Sequence, residues 1–257
     1  MSIKGLEIGS DIETTNEDTL GGGSFIRDSG LYPMSVDVAY LDKSKAGALS
    51  LNLHLRVIEG DNRLVKETLY LTSGDTKGNK NFYINKKTGK KVLLPGRSMG
   101  EQIARILTDQ PMAQLTPEEK TIKLYDFDLK KEVPTPVASL TEMVGQELLI
   151  GLHKCVENKR VESNGKWVDT NNKREFNEIH KVFYPDGFSV TERNAEAEEA
   201  VFVNTWRNKF DAEYVNDTFK TVEGSDAAAS ADALPAAEAA QTGALFNTEP
   251  AAVSEQA

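Results

Sequence analysis

With 257 residues, 39% of them hydrophobic, and a formal charge of -10, the chain can fill one large domain or two small ones, with part left outside any core. A single cysteine, Cys155, excludes an intrachain disulfide and a cysteine-cluster metal site, and no apolar run approaches the ~18 residues of a membrane helix. The opening MSIKGLEIGSDIETT lacks the apolar stretch of a secretory signal, so a reducing cytoplasm is the expected compartment.

Residues 1–30 carry two basic side chains against six acids, contain GGGS at 21–24, and show no apolar periodicity. They read as a flexible arm; the Gly-Lys-Ser/Thr ending of a phosphate-binding loop is absent. From Leu31 the pattern changes. LYPMSVDVAYL reads as a strand with Met34, Val36, Val38 and Tyr40 on one face, and DKSKAG supplies a turn. ALSLNLHLRVIEG is a second strand, with Leu49, Leu51, Leu53, Leu55 and Val57 opposed to Ser50, Asn52, His54 and Arg56; RLVKETLYLTSG is a third. NFYIN and KKVLL form a hairpin around Lys87-Thr88-Gly89, and alternation puts Phe82 and Tyr83 on opposite faces, one of them expected inward. Ser98 is expected to cap a helix over SMGEQIARILTD, with Glu101 completing a capping box.

TIKLYDFDL alternates as another strand, VPTPVASL reads as an extended connection, and ELLIGLHKCVENKRV as a long strand. A loop containing Trp167 precedes the strand EFNEIHKVFY. Residues 191–210 read as one helix stacking Phe202, Trp206 and Phe210. Residues 221–257, Ala-rich with six acids and no Lys or Arg, hold too little apolar surface to offset ordering entropy and are expected to be disordered. The whole predicts a mainly β protein: a small, strongly curved barrel over 31–220 with peripheral helices, between an arm and a tail.

Catalytic chemistry finds little support in these residues. His54, His153 and His180 are scattered; His153 and Cys155 share strand parity without a motif partner, and Asp126 and Asp128 lack a third oxygen ligand nearby. No nucleophile elbow, Walker A or zinc-protease helix occurs, and no cofactor is implied. The positive charge, by contrast, is concentrated. Residues 51–100 hold ten basic side chains against four acids, and Lys77, Lys80, Lys86, Lys87, Lys90, Lys91 and Arg97 follow Asp75 with no acid before Glu101. Cations interleaved with Phe82 and Tyr83 suit a nucleic-acid single strand, whose phosphates need spaced charge and whose bases need flat faces. A second patch, 153–174, places Lys154, Lys159, Arg160, Lys166, Lys173 and Arg174 around Trp167. A lysine-rich hairpin is also a common device against edge-to-edge strand pairing. The acidic tail fits either a groove competitor and partner handle or a plain solubilising segment.

SGLYPMSVDVAYLDKSKAGALSLNLHLRV, the lysine-rich hairpin and LLPGRSMGEQIARILT together resemble single-stranded DNA-binding proteins of tailed bacteriophages, over residues 25–185. The resemblance implies an OB-fold that coats DNA in replication, recombination and repair, in the host cytoplasm. It makes His54 and Arg56 candidates for a groove floor, Tyr70, Phe82, Tyr83 and Trp167 candidates for stacking, and the lysines at 77, 80, 86, 87, 90 and 91 candidates for phosphate contacts. Relatives recruit replication or recombination proteins through a dense acidic terminus with a final aromatic; here the chain ends AAVSEQA, and Phe246 is its late aromatic. The competing expectation is a non-enzymatic scaffold whose hairpin meets an acidic protein partner.

Overall fold

The computed structural model describes residues 25–222 apart from 61–62, 127–128, 164 and 211; the GGGS arm through residue 24, Asp128 and the tail from residue 223 lie outside the described residues. Among the described residues, ten strands and three α-helices follow in order: β1 (Gly30–Lys43), β2 (Leu49–Val57), β3 (Leu64–Tyr70), β4 (Phe82–Ile84), β5 (Lys91–Leu93), α1 (Pro95–Thr108), β6 (Glu118–Asp126), β7 (Lys131–Ser139), β8 (Glu147–Ser163), β9 (Lys166–Phe183), α2 (Val190–Asn194), α3 (Phe202–Lys209) and β10 (Val215–Asp217).

The strict alternation of β2 does what period-2 patterning requires: Leu51, Leu53, Leu55 and Val57 are fully buried, and the polar set between them faces outward. In β1 the alternation breaks. Val36 pairs with Leu55 and Val38 with His54, leaving Asp37 as the extra residue of a β-bulge. The bulge flips the strand's parity, so Ala39 rather than Val38 fills the core beside Met34 and Val36. Bulged Asp37 turns its carboxylate onto Arg56 across the pair.

The main sheet runs β10-β8-β1-β2-β3, with β9 on the other edge of β8 and the β6–β7 hairpin joined to the far end of β1. Among the described residues β3 and β9 do not pair, so the chain is mainly β as expected, but its main sheet is not closed into a barrel. Helix α1 packs against both of these unjoined strands and buries Ile103, Ala104, Ile106 and Leu107 in the main core. A second, smaller core covers the opposite face of β8 and β9, where Trp206 and Phe210 of the α3 segment meet Phe183. Gly151 is required there: a Cβ on it would lie 2.6 Å from Trp206 Cζ2.

Four local expectations change. Helix α1 begins at Pro95, three residues before Ser98, because proline suits the first helical position and no side chain caps it. Glu101 then pairs with Arg97 at 3.1 Å and Arg105 at 3.3 Å instead of closing a capping box. VPTPVASL is strand rather than connection; Pro134 and Pro136 have the same parity, so both missing N–H groups face away from β6. The expected loop around Trp167 is a continuous β-ribbon, with Val161 opposite Val168 and Glu162 opposite Trp167. The single helix over 191–210 is two. Ser189 and Glu192 form a capping box at α2, and the second oxygen of Glu192 accepts the backbone N–H groups of Val201 and Phe202 at the start of α3. Burial pushes the Glu192 carboxyl upward, but these hydrogen bonds outweigh it and hold it below its ordinary value.

Candidate nucleic-acid interface

Strands β4 and β5 form a two-stranded sheet of their own, rising directly after β3 and ending at the buried Leu94. Asn85 shapes its tip, its side-chain oxygen accepting from the Lys87 and Thr88 amides, and Gly89 supplies the positive φ. Phe82, Ile84, Lys91 and Leu93 share one face; Tyr83 and Val92 share the other. Neither face meets the core. Tyr83 is 41% exposed, while Phe82 is half-buried with the Lys91 ammonium 4.7 Å from its ring centroid. Lys77, Lys80, Lys86, Lys87, Lys90 and Lys91 are all exposed and make no ion pair among the described residues. Arg97 does not belong with them: its side chain is 17% exposed and engaged with Glu101 in α1.

On the outward face of β2 and β3, register sets Arg56 opposite Leu64, His54 opposite Lys66, Asn52 opposite Thr68 and Ser50 opposite Tyr70. The Thr68 hydroxyl donates to Asn52 Oδ1 at 2.7 Å, and Arg56 is held by Asp37. Burial, then the neighbouring Lys66, holds the His54 pKa below its ordinary value, with Asp37 opposing. The face therefore offers a neutral imidazole, two cations and the exposed ring of Tyr70. Lys66 was missed by sequence reading, although RLVKETLY places it in alternation with Tyr70.

The second patch divides. Lys154 is tied down near the arm, 3.4 Å from Asp28, with its amide donating to Ser29 Oγ. Lys159, Arg160, Lys166 and Trp167 lie on the outer β8–β9 ribbon, where Trp167 is 55% exposed and Arg160 pairs with Asp169 at 3.2 Å. Nearer the base, Arg174 pairs with Glu157 at 3.1 Å, and Lys173 lies over Phe219. Residues after β10 run along this ribbon: Asn158 exchanges hydrogen bonds with both backbone groups of Lys220, and Asn171 does the same for Val222.

His153 and Cys155 do not form a reactive pair. His153 stacks on His180 at 4.0 Å, and the Cys155 thiol lies 3.6 Å from Glu178. Burial and then Glu178 push that thiol up to about 12, which keeps it protonated. Asp126 accepts the Leu129 amide in the β6–β7 turn. Among the described residues, no three His, Cys, Asp or Glu side chains converge as metal ligands, and no helix is long and apolar enough to cross a membrane. No protein-family model matches the chain, and no curated protein is significantly similar to it.

Proposed function

We propose that the protein binds single-stranded DNA without strong sequence preference and coats it during replication, recombination and repair, without catalysis and in the host cytoplasm. The observation that carries this reading is the β4–β5 hairpin with the turn at Asp75–Lys77 that leads into it: six exposed lysines, four of them on the hairpin, with no ion pair among the described residues, around an exposed tyrosine. A surface of that kind suits the phosphates and bases of a single strand.

Two further features support it. The strands β3-β2-β1-β8-β9, with α1 between β3 and β8 along the chain and packed on β3 and β9 across the gap between them, suit an OB-like barrel left partly open. OB-folds bind oligonucleotides on the face of their second and third strands and on the loops flanking it. Here that face carries Arg56, Lys66 and Tyr70, and the β8–β9 ribbon with Trp167 stands where the last of those loops belongs. The tail 221–257 is the candidate handle for replication or recombination proteins; its Val222 is hydrogen-bonded to Asn171 of the ribbon.

The test is a titration with oligothymidine, following Trp167 fluorescence at two salt concentrations, with duplex DNA as comparison. Each lost phosphate contact removes about 0.7 from the salt slope on a single strand, so K86E/K87E/K90E/K91E should flatten it by about 3 and weaken binding strongly. Unchanged affinity and slope in that variant would remove the hairpin from the interface and the proposal with it.

A further inference from the structure

The nucleic-acid reading leaves two aliphatic side chains of the hairpin, Ile84 and Leu93, without a task. Its Phe82 face presents Ile84, 61% exposed, and Leu93, also exposed. Aliphatic side chains have no π-face for bases, and a lone two-stranded hairpin gains nothing in water by exposing them. Lys91 lies on this same face, and Lys86, Lys87 and Lys90 follow in the adjoining turn, all exposed.

A surface of complementary character lies at the elbow between α2 and α3. Val201 is 61% exposed and Phe202 is exposed next to it, while Glu196, Glu198 and Glu199 precede them, exposed and without ion pairs among the described residues. The elbow is pre-organised. Glu192 caps both of its helices, and Arg193 is fixed by Asp186 between the rings of Tyr184 and Phe188, at 4.7 and 4.6 Å from their centroids. The two surfaces do not cover one another within a copy, since both remain open to solvent.

We infer that the aliphatic face of the β4–β5 hairpin docks onto the α2–α3 elbow of a second copy of this chain, Ile84 and Leu93 against Val201 and Phe202, with the hairpin lysines facing Glu196, Glu198 and Glu199. The partner is a second copy because the chain itself supplies the apolar and charge complement. The contact joins two different patches, so it is heterologous, and a bound pair keeps one free elbow on one copy and one free hairpin on the other. Copies therefore add in a row, and the small apolar area makes each step weak and salt-sensitive.

This association needs no nucleic acid, so it is tested without any. Sedimentation velocity of the full chain at low salt should show a weight-average coefficient that rises with concentration and falls on adding salt. I84E, which removes the hairpin patch, and F202E, which removes the elbow patch, should each weaken association about tenfold or more. Mixed in equal amounts, the two variants should form a dimer and nothing larger, because one intact contact remains. E196K/E198K/E199K, altered only at exposed positions, should behave as F202E does. Carbodiimide cross-linking of isotopically light and heavy copies should join hairpin lysines to Glu196, Glu198 or Glu199 across copies. A wild-type chain that stays monomeric at every concentration overturns the inference. So does a variant mixture that forms no dimer, or cross-links running instead from the hairpin to the acids of residues 221–257. Phe202 lies outside the proposed DNA interface, so binding of a short oligothymidine by F202E reports on that proposal separately.

Discussion

Acidification should unfasten the second core through His153. Its imidazole is buried, stacked on His180 at 4.0 Å, and closed in by Phe210 at 4.4 Å and Tyr214 at 4.7 Å; among the described residues Nε2 has no hydrogen-bond partner. Burial, then His180 and Lys209, lower its pKa to about 4 from an ordinary 6.5. Between those values the unfolded chain binds a proton that the folded chain refuses. Stability is therefore full above pH 6.5 and is lost progressively as pH falls toward 4. At about 1.4 kcal/mol per unit, the whole gap amounts to about 3–4 kcal/mol, of which about 2–3 kcal/mol falls between pH 7.5 and 4.5. His180 adds to the same trend: burial lowers its pKa, and its Nδ1 accepts the Trp206 indole N–H at 2.8 Å, a bond that protonation there destroys. Urea unfolding of wild type and H153F, followed by far-UV circular dichroism at several pH values from 7.5 to 4.5, isolates the His153 contribution. Wild type should lose about 2–3 kcal/mol more than H153F across that window. Parallel pH profiles for the two proteins would refute the assignment.

Glu67 should show the opposite slope. It stands on the core-facing register opposite Leu53, and burial, then Glu178, pushes its carboxyl up to about 8, with the Thr68 amide opposing. A raised carboxyl stabilises the fold most below its ordinary pKa of 4.5 and loses that contribution as pH rises toward 8, so E67Q should flatten the fall in stability between pH 4.5 and 8. W167A should cost about 1–3 kcal/mol in oligothymidine affinity if a base stacks there, with the urea midpoint unmoved; equal affinity would take Trp167 out of the interface. G151A should destabilise by about 1–3 kcal/mol, since its methyl group presses into the Trp206 indole, and a normal midpoint in urea would contradict that packing.

Much of the secondary structure was legible because burial on one face writes itself into local spacing. The Leu51-Leu53-Leu55-Val57 row announced β2, and the same row explains why its polar neighbours face outward. Local spacing cannot reveal an inserted residue whose justification is a partner elsewhere. The bulge at Asp37 is stabilised by Arg56 on another strand, so Val38 was assigned inward in place of Ala39. The break before α3 was hidden for a similar reason: the S-V-T-E capping signal sits in the sequence, but the second use of Glu192, at Val201 and Phe202, exists only when the chain folds back.

The candidate site divides along the same line. Sequence by itself determined that the hairpin is basic and aromatic, because charge density and residue type need no partners to be read. Tertiary structure decided which of those charges are free. Ion pairs form across strands and helical turns, and they remove Arg97 and hold Arg56, Lys154 and Arg160, while leaving the hairpin lysines in solvent. It also decided that neither hairpin face is buried, because whether an alternating strand has a core beneath it depends on what the rest of the chain packs against it.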